Sequence, residues 1–510
     1  MVDSRADALL VSAPAGMIRG IRLKRADVRA FRGIPFAAPP TGALRFRAPR
    51  PPTRWEGVLD ASRFGPVAPQ DRLGPFSGAS RSLERSEDCL TLNVLAPGEA
   101  ADVAGRRGVA GVAENPLPVM VYIHGGAYSV GAPADQPDRG SNFARRGVVH
   151  VTFNYRLNAF GYLDFSAYGY ENNLGLRDQV AALEWVRDNI AAFGGDPANV
   201  TLYGESSGGN AVTTLLAVPA AKGLFARAIA QSPPSNAVYD SATTRGWAAE
   251  FLDILGVPAG SEVEALRSTS APKLVAAARR LFVRVPDTAP GAQAFSPVID
   301  GDYLPVHPLD AFRDGATHPV ALIIGTNDRE GSVFTGKRMI LASTPARLRG
   351  ILRSAPTEAA AHLLAEYGYP SARGGLDLAG DFAFWRPAER AAEGHSRTAP
   401  TYLYRLDYAP RLMKLIGLDA THGADLLTVF GRTHTPVGRA ISMLGGGREL
   451  DAVSERMQDH WHRFAVDGSV DEEWPVYDER NRRSLVFDDV DRIEADGRRE
   501  RRVAWQRAGW

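Results

Sequence analysis

Cysteine is almost absent: the 510-residue chain has one, Cys89. No intramolecular disulfide can form, which fits a reducing compartment or a fold that needs no covalent staple. Long hydrophobic runs are missing as well. The segment from Met1 to Pro14 has a three-residue apolar run, too short for the h-region of a signal peptide, and no later run approaches the length of a membrane span. The expectation is a cytoplasmic protein without a membrane span. The third thing lacking is charge of one sign: 59 Lys and Arg against 58 Asp and Glu leave a formal charge of +1. That balance offers no electrostatic handle for nucleic acid or an anionic membrane. The Arg-dense stretch from Arg498 to Arg507 reads as a solvated end.

What is there is ordinary globular material, 45% hydrophobic and 23% charged. The length asks for two or three domains or one large decorated one. No repeat and no dividing linker is visible, so residues 1–510 are read as a single domain. Ala96 to Pro118 is rich in Gly, Ala and Pro and reads as a long surface loop. Around it, Leu90–Leu95, Val119–Ile123 and Val148–Asn154 are apolar and strand-length with little alternation, as in strands buried on both faces of a sheet.

From Leu176 to Ala192 the period changes. Val180, Leu183, Trp185, Val186 and Ile190 mark an amphipathic helix, stopped by Phe193-Gly-Gly-Asp-Pro197. Val200–Tyr203 is the next strand and Ala211–Val218 a further helix. This alternation predicts an α/β protein with a parallel sheet and crossover helices. The stretches at about 241–289 and 344–393 are rich in Ala, Leu and Arg and are expected to form helical lobes capping the sheet.

Gly204-Glu205-Ser206-Ser207-Gly208 is a G-x-S-x-G sequence between a strand and a helix. A serine on so sharp a turn is exposed at the strand's carboxyl end, with the helix N-terminus aimed at developing negative charge. His124-Gly125-Gly126-Ala127 follows another strand, and its small residues allow backbone N–H groups to approach a reacting carbonyl oxygen. Gly126, Ala127 and Ser207 are the natural oxyanion donors. Both motifs serve acyl transfer.

A serine nucleophile needs a base and an orienting acid downstream. Eight histidines follow Ser206, and spacing does not choose among them. His422 lies in a loop-like segment before an apolar run, whereas His460 and His462 flank Trp461 on an expected helix and read as half-buried packing residues. For the acid, the strand-like run Val320–Ile324 leads into Gly-Thr-Asn-Asp328-Arg-Glu330-Gly, where Asp328 and Glu330 compete.

From about Val28 to Asp489 the chain resembles the type-B carboxylesterases, the α/β-hydrolases that include cholinesterases, some fungal lipases and bacterial p-nitrobenzyl-type esterases. The likeness rests on Phe193-Gly194-Gly195 through Val200, Leu202 and Gly204 to Ser206-Ser207-Gly208, and on Glu87-Asp88-Cys89-Leu90-Thr91-Leu92-Asn93-Val94. Further blocks are Phe31-Arg32-Gly33-Ile34-Pro35-Phe36-Ala37, Pro39-Pro40, Leu44-Arg45-Phe46, Asn154-Tyr155-Arg156 and Asn173-Leu174-Gly175-Leu176 with Asp178-Gln179.

The resemblance implies an α/β-hydrolase fold with a large, mostly parallel sheet. It implies Glu330 rather than Asp328 as the acid, His422 as the base, and Glu205, Ser232 and Asp425 as polar support around the triad. It also implies ester hydrolysis through an acyl-enzyme without metal or cofactor, with a small-molecule ester as the only partner and a monomer or homodimer as the state. Lipase, carbamate or amide hydrolase, and non-catalytic binding module are the alternatives that the same scaffold admits. Two departures stand out. Pro69 occupies the place of the family's usual disulfide partner for Cys89, and the loop Asp71–Ser86 lacks the tryptophan on which cholinesterases hold a quaternary ammonium. Short-chain or aromatic esters are therefore expected as substrates, and choline esters are not.

Overall fold

The computed structural model describes residues 9–24, 26–71, 78–98, 116–136, 139–336 and 340–510. Most of the Ala96–Pro118 loop and part of the Asp71–Ser86 loop lie outside these residues. Fifteen strands are formed among them: β1 (Leu9–Ala13), β2 (Gly16–Leu23), β3 (Val28–Pro35), β4 (Val58–Asp60), β5 (Thr91–Pro97), β6 (Leu117–Ile123), β7 (Val149–Phe153), β8 (Gly195–Glu205), β9 (Arg227–Gln231), β10 (Tyr239–Asp240), β11 (Val298–Ile299), β12 (Ala321–Asn327), β13 (Thr401–Leu406), β14 (Arg483–Phe487) and β15 (Arg492–Ala495). Thirteen of them make one sheet in the order β1-β2-β3-β5-β7-β6-β8-β9-β12-β13-β14-β15, with β4 beside β2. The run from β7 to β14 is parallel throughout, while β1, β2, β3 and β5 on one side and β15 on the other pair antiparallel.

Side chains of the central strands are buried on both faces, which is why these segments show so little alternation. Val119, Val121 and Ile123 of β6 join the apolar layer that holds Val180, Leu183 and Val186 of the helix Leu174–Asn189. Met120 and Tyr122 point the other way, into the layer of Val453, Met457, Trp461 and Phe464 on the helix Gly447–Asp467. The sheet is thus covered by helices on both sides. Further helices are Ser241–Leu255, Glu262–Ser268 and Ala271–Thr288, then Pro345–Ile351, Thr357–Glu366 and Ala372–Gly380, a π-helical turn Asp381–Trp385, and Arg386–His395, the last packed against β12 and β13.

Three local expectations are corrected. The strand read as Val200–Tyr203 starts five residues earlier, at Gly195, because the Gly-Gly turn feeds β8 directly: Leu117 of β6 pairs with Gly195. The helix read as Ala211–Val218 is Ser207–Leu215 and begins immediately after Ser206. Its glycines are there for contact: a Cβ on Gly209 would stand 2.6 Å from the Gln231 carbonyl oxygen. The Arg-dense end is no solvated tail. Arg499–Arg507 is a helix, and Arg498, Arg501 and Arg502 meet Asp328, Asp381 and Asp496, acids from distant and neighbouring segments that composition alone does not reveal.

Candidate active site

Between β8 and the helix Ser207–Leu215 the backbone turns at Ser206, whose φ is 60° and ψ −127°. A non-glycine residue pays about 1–3 kcal/mol for such a conformation, so the surroundings must fix it. The Ser206 N–H donates to the Gln231 carbonyl at 2.9 Å, and the Asn210 N–H donates to the Ser206 carbonyl at 2.8 Å. The flanking glycines are required by contact: a Cβ on Gly208 would lie 2.1 Å from the Ile123 carbonyl oxygen, and one on Gly204 would lie 2.6 Å from the backbone of Gly208. The strain holds the serine hydroxyl out of the helix and toward His422.

His422 Nε2 is 2.9 Å from Ser206 Oγ, and Nδ1 is 2.6 Å from Glu330 Oε2. Glu330 begins the short turn Glu330–Val333 that follows β12 and is 1% exposed. Its other oxygen, Oε1, accepts from the Asn327 N–H and from the Ser232 hydroxyl, both at 2.6 Å. His422 sits in the turn before the helix Ala424–Val429. The two turns are tied together: the Arg329 N–H donates to the Ala420 carbonyl at 3.0 Å, and the Arg329 guanidinium grips Asp377, Asp419 and the Gly417 carbonyl. Asp328, the rival carboxylate, faces away and pairs with Arg498 at 2.6 Å. His460 is buried against Trp474 and Phe487, and half-buried His462 meets the Arg146 carbonyl, so neither approaches Ser206.

The charges around His422 are dense. Burial opposes protonation of the imidazole, but Glu205 and then Glu330 outweigh it and raise its pKa to about 9. Glu205 Oε1 is 3.3 Å from Nε2, and burial lifts the Glu205 carboxyl to about 7. Asp425 is also pushed upward by burial; it accepts from Gln231 Nε2 at 2.7 Å and from the Tyr404 hydroxyl at 3.1 Å. Trp461 Nε1 donates to the far side of the same Gln231 amide.

At the end of β6 the chain makes a second strained turn, with φ of 125° at Gly126, 52° at Ala127 and 53° at Tyr128. A Cβ on Gly125 would stand 3.0 Å from Ser206 Cβ, and one on Gly126 would stand 2.0 Å from the Val130 carbonyl oxygen. The Tyr128 N–H donates to Ser207 Oγ at 3.2 Å, which docks this turn onto the serine-bearing helix. Among the described residues, the N–H groups of Gly126, Ala127 and Ser207 have no protein acceptor. Beyond Ser129 and Val130 the helix Ala271–Thr288 leaves a slot of about 20 Å³ lined by Val275, Ala278, Phe282 and Phe295. The Arg279–Asp71 pair, at 2.9 Å, spans its outer side.

The sequence profile of the carboxylesterase family matches residues 7–505. The chain belongs to the carboxylesterase family. Para-nitrobenzyl esterase of Bacillus subtilis is 38% identical over 503 residues, with 97% of each chain covered. A solved para-nitrobenzyl esterase superposes with a TM-score of 0.83 at 36% identity, covering 97% of this chain and 99% of that one. A solved carboxylesterase of Geobacillus stearothermophilus gives 0.80 at 32% identity, covering 98% and 100%. The fold of this carboxylesterase is accordingly the α/β-hydrolase fold.

Several side chains around the esterase's site went unread in the sequence. Phe384 and Phe334 pack on His422 with ring centroids 4.3 and 5.3 Å away and ring planes tilted by 30° and 44°. Phe384 rides the π-helical turn, a feature without a sequence signature. Gln231 and Asn327 end β9 and β12 at the sheet's carboxyl edge, a position that marks them as candidates once the strands are known. Cys89 is buried and free. No group of His, Cys, Asp and Glu that could hold a metal is present among the described residues, and no helix there is long and apolar enough to cross a membrane.

Proposed function

We propose that this carboxylesterase acts through Ser206 as nucleophile, His422 as base and Glu330 as the acid that orients it, by way of an acyl-enzyme. The reading rests on one observation: the hydrogen-bonded line from Ser206 Oγ to Nε2 at 2.9 Å and from Nδ1 to Glu330 at 2.6 Å. With Glu330 accepting the Nδ1 proton, Nε2 is left free to accept the serine proton as Oγ attacks the ester carbonyl. The carbonyl oxygen, becoming an oxyanion, takes the N–H groups of Gly126, Ala127 and Ser207. His422 then protonates the leaving alcohol, and water repeats the cycle on the acyl-enzyme. Ser232 holds Glu330 in place, while Glu205 and, behind it, Asp425 favour the imidazolium that forms in each half-reaction.

The substrates we propose are short-chain and aromatic esters. The support in the structure is an apolar, partly aromatic slot, with Val275, Ala278, Phe282 and Phe295 facing the Ser129 and Val130 that follow the oxyanion turn. The relative's name denotes para-nitrobenzyl esters, which are aromatic. The test has two arms. A fluorophosphonate should label Ser206 stoichiometrically, and Ser206→Ala should lose labelling and turnover while remaining folded; label on another serine refutes the assignment. p-Nitrophenyl acetate and butyrate should give higher kcat/KM than the palmitate ester, with butyrylthiocholine poorer still. A preference for palmitate, or activation by a triolein emulsion, refutes the substrate class.

A further inference from the structure

Behind His422, one cation reaches both the segment that carries Glu330 and the turn that carries Phe384. Arg498, 9% exposed in its side chain, places Nη2 at 2.6 Å from Asp328 Oδ1 and 2.7 Å from the Asp328 carbonyl oxygen. Asp328 is two residues before Glu330. Nη1 of the same guanidinium lies 3.3 Å from Asp381 Oδ1. Asp381 is 4% exposed in its side chain and opens the π-helical turn whose Phe384 ring packs on His422; its Oδ2 accepts from Arg501 at 3.0 Å and from the Tyr367 hydroxyl at 2.6 Å.

The two structures that Arg498 bridges also press on each other, backbone to backbone. A Cβ on Gly331 would lie 1.9 Å from the Leu376 carbonyl oxygen, and one on Gly380 would lie 2.4 Å from the Gly331 nitrogen. Together with Arg329, which reaches Asp377 from the residue before Glu330, this forked side chain ties the turn that carries the acid to the turn that carries the ring over the base. A planar guanidinium with donors to two carboxylates suits this role better than an ammonium, which can reach only part of the set. The Arg498–Asp328 pair borders an open hollow of about 370 Å³ that the two residues line together with Glu366, Arg405, Glu494 and Glu500.

We infer that Arg498 is a positioning residue for the reaction: it keeps Glu330 and Phe384 in register with His422 without touching substrate. The inference rests on the proposed triad and goes beyond it. The comparison is Arg498→Ala against Arg502→Ala. Arg502 lies on the helix that Arg498 precedes; it holds Asp496, with Nη2 2.5 Å from that carboxylate, and comes within 3.7 Å of Glu389 beyond the π-helical turn, touching neither turn itself. Arg498→Ala should lower kcat about 10- to 100-fold with KM within about threefold, since sub-ångström misplacement of catalytic groups costs that much.

The low-field proton resonance of the His422–Glu330 hydrogen bond should shift or broaden in Arg498→Ala, and Arg498→Lys should recover part of both readouts. Arg502→Ala should lower the melting temperature while leaving kcat and that resonance near wild type. The inference is overturned if Arg498→Ala keeps wild-type kcat and resonance, or if Arg502→Ala loses as much kcat. Should Arg498→Ala fail to fold, Asp328→Asn, which keeps the shape but removes the charge, replaces it: a kcat several-fold below wild type with a shifted resonance supports the inference, and unchanged values refute it. A wild-type protein that a fluorophosphonate does not label at Ser206 would instead sink the underlying triad reading.

Discussion

Replacing Glu330 by Gln changes almost no volume, and its cost follows from the three donors that face the carboxylate. Oε1 accepts from the Asn327 N–H and the Ser232 hydroxyl, and Oε2 accepts from His422 Nδ1. An amide has one oxygen, and it is best placed toward Asn327 and Ser232, where two donors meet it. The NH₂ then faces Nδ1 and demands a lone pair there, which moves the imidazole proton to Nε2, the nitrogen that must accept from Ser206. The opposite rotamer points NH₂ at two donors inside a site that is 1% exposed, and each unmet contact there costs about 1–3 kcal/mol. The first rotamer loses the productive tautomer, and the second keeps it only by bearing that cost. The expected fall in kcat is about 10³- to 10⁴-fold, or about 4–5.5 kcal/mol in the barrier. KM should change little, because the carboxylate is behind the imidazole. The assay is steady-state hydrolysis of p-nitrophenyl butyrate, with Asp328→Asn beside it. Since Asp328 meets Arg498 and not His422, its variant should lose less than about tenfold. Greater damage from Asp328→Asn, or more than a tenth of wild-type kcat in Glu330→Gln, refutes this account.

The pH profile should be governed by His422, which must be neutral to act and has its pKa raised to about 9, so kcat/KM should climb with pH up to that value. Glu205→Gln removes the carboxylate nearest Nε2 and should move the climb to lower pH by about one pH unit; a climb that stays put or moves up refutes the electrostatics. The same proton is held more tightly in the folded chain than in the unfolded one, so its contribution to stability is whole below a pH of about 6.5 and is lost as pH rises through about 9, which urea melts across that range would detect. Gly208→Ala should yield no active folded enzyme by circular dichroism and turnover, because its Cβ meets the backbone of Ile123, whereas Gly246→Ala, in open space on the helix Ser241–Leu255, should stabilise by about 0.5–1 kcal/mol in a urea melt. Dithiothreitol and EDTA should leave activity unchanged, since Cys89 is buried without a partner thiol; inhibition that added metal reverses would refute this.

The parts of the molecule legible in the sequence are those set by near neighbours along the chain. β6, β7 and β12 are runs rich in β-branched and aliphatic residues, and the Gly-x-Ser-x-Gly sequence stands between a strand and a helix that each read locally, although the contact that demands Gly208 comes from Ile123 on a strand far upstream. Choosing Glu330 over Asp328 needed either the family resemblance or the structure. Both carboxylates follow the same strand, and only the direction each faces separates them. The Arg498–Arg507 stretch failed for the same reason: its counter-charges Asp328 and Asp381 are more than a hundred residues away in sequence, so a charge run looked unpaired. Phe384 was out of reach because a π-helical turn leaves no periodicity to read.

The distances along the chain between Ser206, Glu330 and His422 have a consequence for how activity appears in time. His422 follows Ser206 by 216 residues and Glu330 by 92. At ribosomal speeds of 5–20 residues per second, the serine is made roughly 10–40 s before its base exists. During that interval the nascent chain carries an inert hydroxyl, and the Arg498 clasp arrives later still. Hydrolysis therefore reports the closure of long loops, steps whose entropy cost makes them slow. In a refolding experiment, helix content should return well before turnover does.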